Sequence, residues 1–545
     1  MTASDATNPR RRAAIDPYVI AIALLFAGIV LAHADFVPMF DGRIYADCVV
    51  DAARAHLAPS TLQCGGHPDY AFMLLLALPQ MLAPGSFVPM LATMTLLGVA
   101  GIFAFHSTLG ALFPASGRVE RLLATAALAL NPVVVVDFLN IDPDDAVLVF
   151  FLLATWALVT GRRRAFVALG VCLCFSKESG VLLYAMLASI EVWLDTASSP
   201  GPMRDKVRAL VPAVGYGIPL VAFVAALQLR RVFGVGLWGG ETPTSVVAKI
   251  LSFKFDDPVF RSYLDGIFVL HFQWIATVLV AAWLVDLGVR AFLNVTPREE
   301  PPQARRARRF AIATFLGTAY LLTRYQTFTN PRYWMPVYPT LLAALIPAAQ
   351  RGLRQAWLRR GVLGAYVALT GASNFAMFDP LAMRAFDTFD FGNRTMLAMT
   401  SVTHECCGRG RDQLFYNLQA TELHYVLDRV FASIRPTAET EIVVPPWGSW
   451  YNLGPLDART FGRTLRRDGV VEPRYSELPA LVRRQEPLPR ELYYVGLPYL
   501  DHELSIAWLS RSYAVADHWR AEHDGYWMEV LRFVKRPDRQ DDTPR

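Results

Sequence analysis

Between Tyr18 and Phe378 long apolar runs alternate with short arginine-bearing blocks, and no other feature constrains the fold as strongly. A run of that kind must hide its backbone polar groups when it meets hydrocarbon, and a helix does so within one segment. With 54% hydrophobic and only 18% charged residues over 545 positions, the chain is too apolar for an ordinary soluble protein. A net charge of +5 is too small to argue for a nucleic-acid partner, and the arginines sit between apolar runs. The class that follows is an α-helical polytopic membrane protein.

Arg10, Arg11 and Arg12 precede the first run, Tyr18 to Ala34, and the positive-inside rule puts its start in the cytoplasm. Residues 1–16 then read as a cytoplasmic arm. Ala32-His33-Ala34 also fits a signal-peptidase site, but about seventeen apolar residues suit a retained span better than a cleaved leader. Tyr70 to Ala83, about fourteen residues and broken by Pro79 and Gln80, is short for a crossing and reads as an interfacial helix. Spans then alternate over Phe87–Phe113, Leu122–Phe138, Ala146–Thr160, Phe166–Phe175, Val181–Leu194, Val207–Leu227, Gly266–Phe292, Phe310–Leu322, Tyr333–Ala349 and Gly361–Phe378. This arrangement of about eleven crossings leaves every arginine block inside. Residues 17–378 form the membrane domain and 379–545 an extracytoplasmic one.

That topology gathers the ionisable turns on the outer face. The first loop is expected to be amphipathic and to lie along the membrane, carrying Asp41, Arg43, Tyr45, Asp47, Asp51, His67 and Asp69. Charges placed where a span ends are functional candidates, with a solvated loop as the plain alternative. The turn Asp142-Pro143-Asp144-Asp145 packs three carboxylates into four positions, and like charges that close need a cation, a proton or a donor. One of them is expected to cap the next helix. Asp142 and Asp144 are candidate ligands for a divalent metal, which takes carboxylate oxygens. Lys177 and Glu178 occupy a tight turn, where they either pair or meet a ligand such as phosphate. Arg324 and Arg332 flank another outer turn, either as phosphate ligands or as interfacial anchors beside Tyr325, Tyr333 and Trp334. The loop from Arg230 to Asp265 is long enough to cover a site, and Trp238 in it can stack on a sugar or sit at the interface.

After Asp379 hydropathy drops, and short apolar segments at Glu441–Val444, Leu492–Gly496 and Trp527–Val534 predict strands of a soluble α/β domain. Trp447, Trp450 and Tyr451 form either an aromatic platform or an ordinary turn. His404, Glu405, Cys406 and Cys407 lack the spacing of a zinc site. Cys48, Cys64, Cys406 and Cys407 all fall on the oxidising face. Their pairing is open: Cys48 with Cys64, or a bridge from the first loop to Cys406 or Cys407.

The order of a first span, Asp41-x-x-x-Tyr45, His67-Pro68-x-Tyr70, an acidic turn before the phenylalanine-rich span, Ser176-Lys177 and Arg332-Tyr333-x-x-Pro336 resembles the C superfamily of membrane glycosyltransferases. It is most similar to the protein O-mannosyltransferase and aminoarabinose transferase group, over roughly residues 17–350. The resemblance implies a polyprenyl-phosphate-linked sugar donor, an active site at the outer leaflet, Asp41 as catalytic base, and Asp142 or Asp145 as the second acid. The chain departs from the family in having Gly42 where an acidic pair would continue, and His67-Pro68-Asp69 where a second proline is usual.

The chemistry fits those residues. Displacing a polyprenyl phosphate passes through an oxocarbenium-like transition state, and a carboxylate takes the proton of the attacking hydroxyl. Cations stabilise the departing phosphate, for which Lys177, Arg43 and Arg332 are the candidates, with Tyr45, His67 and Tyr333 lining the substrate site. The acceptor class, whether lipid, polysaccharide or protein, stays open, as does the sugar. The alternatives are a transporter or lipid-linked sugar flippase, which would carry charges at mid-membrane, and a scaffold that displays the C-terminal domain.

Overall fold

The computed structural model describes residues 16–33, 38, 41–62, 64, 69–83, 88–198, 214–232, 264–293, 300–325, 330–385, 388–391, 394–397, 414, 425–426, 429–430, 432–434, 440–444, 474–478, 481, 489–496 and 503–536. The structure is mostly helical, with a small sheet near the C-terminus. The helices that position the site are α1 (Pro17–Ala32), α2 (Asp41–Arg54), α3 (Tyr70–Gln80), α4 (Val88–Leu112), α5 (Arg118–Ala129), α6 (Pro132–Asn140), α7 (Pro143–Val159), α8 (Arg163–Cys174) and α9 (Glu178–Ser198). They continue as α10 (Ile218–Val232), α11 (Gln273–Phe292), α12 (Pro302–Tyr325), α13 (Val337–Gly352) and α14 (Ala356–Ala372).

Among the described residues three helices are long and apolar enough to cross a membrane, Val88–Leu112, Glu178–Ala197 and Leu270–Phe292. A fourth is α5 with α6 if that pair, bent by 45°, counts as one span. The bend falls within the single run expected over Leu122–Phe138, and its cause is local. Pro132 cannot supply an amide to the preceding turn, and Asn131 starts a new helix by accepting the Val133 N–H at 3.0 Å. Helix α3 has 11 residues and so spans only about 16 Å, too little for a crossing.

Helix α2 is the amphipathic element of the first loop: Ala46, Val49, Val50 and Ala53 are buried along one side while Ile44, Asp51 and Arg54 are exposed. It packs on α3, which in turn packs on α4. A Cys48–Cys64 disulfide ties α2 to the segment leading into α3. Cys406 and Cys407 lie outside the described residues. At the centre, α4 and α7 pack together, with α1 against α4 and α8 against α7. Gly98 makes the α1–α4 contact close, because a side chain there would meet the Phe26 ring.

The C-terminal strands β3 (Glu441–Val444), β4 (Arg474–Glu477), β5 (Glu491–Gly496), β6 (Tyr513–His523) and β7 (Tyr526–Lys535) follow an earlier hairpin, β1 (Thr388–Phe391) and β2 (Arg394–Leu397). Their order is β4-β3-β5-β7-β6, with β3 parallel to both neighbours and β7 antiparallel to β5 and β6. All four residues of β3 are buried, as a near-continuous apolar strand covered on both faces should be. The three strands expected from the sequence correspond to β3, β5 and β7.

Candidate active site at the ends of the helices

The site begins with a tight fit. Gly42, in the first turn of α2, lies so close to the last turn of α6 that a Cβ there would collide with the Asn140 carbonyl. This contact accounts for the glycine where the family resemblance leads one to expect an acid. It also brings Asp41 beside Asp142, which lies just beyond the end of α6. Between α6 and α7 the backbone turns through Ile141 at φ 57°, a left-handed conformation that a β-branched residue rarely adopts. Such strain costs on the order of 1–3 kcal/mol and must be held by its surroundings; here Ile141 is fully buried. The turn places Asp142 at the N-terminus of α7.

Arg332 joins these parts. It lies in a 3-10 turn, Pro331–Trp334, whose start is capped by Asn330 accepting the Arg332 N–H at 3.3 Å. Its Nη1 donates to Asp142 Oδ2 and its Nη2 to Asp41 Oδ2, and its Nε stands 3.8 Å from Asp144 Oδ2. Lys177, in the turn between α8 and α9, donates from Nζ to both Asp144 oxygens at 2.9 and 2.8 Å. Burial disfavours its charge, but the Asp144 carboxylate outweighs that and holds the ammonium above its ordinary range. The Tyr333 ring is close to both cations, its centroid 4.4 Å from Lys177 Nζ and 5.1 Å from the Arg332 guanidinium carbon.

The three crowded carboxylates are thus relieved in three ways. Asp142 meets Arg332, and Asp144 meets Lys177. Asp145 is fully buried beside Asp137 of α6, and burial together with the neighbouring carboxylates pushes its own carboxyl well above the usual range. Asp142, at the N-cap of α7, makes no side-chain cap, and Asp144 and Asp145 lie in the first turn.

Tyr45 is buried against Phe72, ring centroids 5.8 Å apart. Burial, and then the charges of Asp142, Asp69, Asp144 and Asp41, hold its phenol protonated well above the usual range. Asp69, at the N-terminus of α3, accepts the Cys64 N–H at 3.4 Å through Oδ1. Its Oδ2 is buried with no partner among the described residues, and burial pushes its carboxyl up to about 7.

The structure therefore assembles Asp41, Tyr45, Asp142, Lys177, Arg332 and Tyr333 with Asp144, and sets Asp145 behind them. The Arg43 side chain and His67 lie outside the described residues, as do Trp238 and the 404–407 and 447–451 segments. Sequence reading missed Asp137, which falls inside an expected span; an acid within VVVVDFLN was the available signal, because such a charge is expensive in hydrocarbon. Asp142 and Asp144 do not fit the metal expectation. Each is already paired with a cation, and among the described residues no three His, Cys, Asp or Glu side chains are arranged to hold a metal.

The carboxylates differ in access, and this bears on what they can do. The Asp41 side chain is 28% exposed, against 1% for Asp142 and 5% for Asp144. Asp41 is the most accessible of the three.

The chain matches no family model and no curated protein. Among solved structures it is similar to ArnT from Cupriavidus metallidurans bound to undecaprenyl phosphate, at 15% identity and a TM-score of 0.46, covering 94% of this chain and 97% of that one. The apo state of the same protein matches at 16% identity with the same TM-score and coverage. So distant a likeness leaves the chemistry to be read from the side chains.

Proposed function

We propose that the chain is a membrane glycosyltransferase that moves a sugar from a polyprenyl-phosphate donor to an acceptor hydroxyl. The observation that carries this reading is the Arg332 bridge between Asp41 and Asp142, with Asp41 the accessible acid. The motif resemblance supports it, and so does the position of the charges: Asp41, Asp142, Lys177 and Arg332 all lie at helix ends or in turns. A transporter would carry such groups along its spans.

In the proposed reaction the acceptor oxygen attacks the anomeric carbon as the bond from that carbon to the phosphate oxygen breaks. The polyprenyl phosphate leaves with the electron pair, and the hydroxyl proton passes to Asp41. Lys177 and Arg332 stabilise the phosphate, each sharing its cation between the ligand and its resident carboxylate, with Arg43 a third candidate. Asp142 keeps Arg332 in place. Tyr45, held neutral, and Tyr333 line the sugar side. A single displacement inverts the anomeric centre.

The accompanying assignments are about eleven crossings of the bacterial inner membrane, residues 1–16 in the cytoplasm, 17–378 in the bilayer and 379–545 in the periplasm. The test is transfer from a panel of polyprenyl-phosphate sugars to crude membrane acceptors by purified wild type and Asp41→Asn, with melting curves of both. Transfer that disappears in a variant that melts like wild type supports the reading. Full activity in Asp41→Asn, or a product of retained configuration, overturns the mechanism.

A further inference from the structure

A second polar site lies at the opposite end of the bundle. Helices α11 and α13 pack side by side, and α13 begins just after Arg332 and Tyr333 of the charged cluster. The 16 residues of α13 run about 24 Å, so its last turn lies well away from that cluster. Between the C-terminal ends of these two helices a cavity of about 460 Å³ opens, in the size range of ligand sites. Trp283 forms part of its apolar wall, and Asp286, Arg290, Arg351 and Arg354 supply its charge.

Two of the three guanidinium groups here share one carboxylate. Asp286 Oδ1 accepts from Arg290 Nε at 2.8 Å and Oδ2 from Arg351 Nε at 2.6 Å. Neither arginine has a protein partner for its Nη groups, and Arg354 has no acidic partner, among the described residues. Some arginines elsewhere do meet acids: Arg118 meets Asp16, Arg359 and Arg360 meet Glu120, and Arg306 meets both Glu191 and Asp195. Arginines in a last helical turn also neutralise free carbonyls, but that role needs neither a cavity nor an excess of cations over acids. Beside the cavity, Val278, Val285, Val289 and Phe292 are exposed on α11. Their spacing puts them on one helix face, an apolar flank leading to a cationic pocket.

We propose that this cavity binds the phosphate headgroup of an anionic membrane phospholipid. Arg290, Arg351 and Arg354 hold the phosphate through paired N–H donors, as arginine does where geometry matters. Asp286 keeps two of them in position through Nε, and the acyl chains run along the Val285–Phe292 flank. The inference depends on the membrane reading of the chain and not on sugar transfer.

The test is native mass spectrometry of the full chain released from detergent after equilibration with phosphatidylglycerol, phosphatidylcholine or inorganic phosphate. Wild type retains one phosphatidylglycerol, with roughly ten-fold less phosphatidylcholine. The Arg290→Gln/Arg351→Gln/Arg354→Gln triple variant loses that preference while melting as wild type does. If the triple variant fails to fold, Arg354→Gln alone, which breaks no ion pair, shows a reduced preference. Equal retention of the two lipids, unchanged retention by the variants, or displacement of the lipid by equimolar inorganic phosphate overturns the proposal.

Discussion

Two arginines in this chain make nearly the same bonds in different surroundings. Arg118, at one end of the bundle, gives Nε and Nη2 to the two oxygens of Asp16, both at 2.6 Å, with its side chain 51% exposed. Arg332, at the other end, gives its two Nη groups to Asp41 and Asp142 with its side chain only 4% exposed. An exposed pair gains little, because water solvates either partner nearly as well. A buried bridge is different in kind. Its charges have given up water, so each depends on the others, and the loss of one leaves its partners stranded. What distinguishes the proposed active site is therefore less the presence of ion pairs than the cost of breaking them.

The largest expected effect follows directly. Arg332→Met leaves Asp41 and Asp142 uncompensated and should destabilise the fold by about 3–5 kcal/mol, read as a fall in melting temperature in detergent. Adding Asp41→Asn and Asp142→Asn to it should restore most of the loss, since a neutral cluster strands no charge. If the triple variant melts as low as the single one, burial of charge is not what distinguishes the two ends. Gly42→Ala comes next, at about 1–3 kcal/mol, because the Asn140 backbone must retreat to admit a methyl group. Sugar transfer should fall with it as Asp41 moves from Arg332; unchanged stability would mean that the α2–α6 contact is loose.

Asp69 provides a test through pH. Its folded-state pKa, about 7, lies above the ordinary 3.8. Between these values the folded chain keeps a proton that the unfolded chain has released, so stability is greatest at the acid end and falls as pH rises through about 7. Melting curves at about pH 5 and about pH 8 should differ in that direction, and Asp69→Asn should narrow the difference. A wild-type profile that rises across this window would rule out the assignment. The smallest effect is expected from Arg118→Ala, whose melting temperature should match wild type within error. A clear loss there would erase the contrast with Arg332.

Much of the architecture could be read from residue order. The apolar runs predicted helices, and Asn131-Pro132 carried the signal for the bend that the span reading over Leu122–Phe138 passed over. Glu441–Val444 and its partner segments predicted strands, and these pair in one sheet. The amphipathic pattern after Asp41 became α2. The site was legible as a set of residues and not as a set of pairs. Asp142, Asp144 and Asp145 were expected to need a cation, a proton or a donor, but nothing in that turn says which acid takes Arg332, which takes Lys177 and which turns toward Asp137. The disulfide partner of Cys48 was open in the same way.

The sequence by itself determined the helical class with its runs apolar enough to cross a membrane, the strands near the C-terminus and the collection of ionisable turns, because these depend on local periodicity and the cost of placing charge in hydrocarbon. Tertiary structure alone decided that Arg332 reaches Asp142 across 190 positions and Asp41 across 291. It also decided that Asp41 is the acid left accessible. Such partners are chosen by which helix ends meet, and that is settled by packing at contacts as small as the missing Cβ of Gly42 against the carbonyl of Asn140.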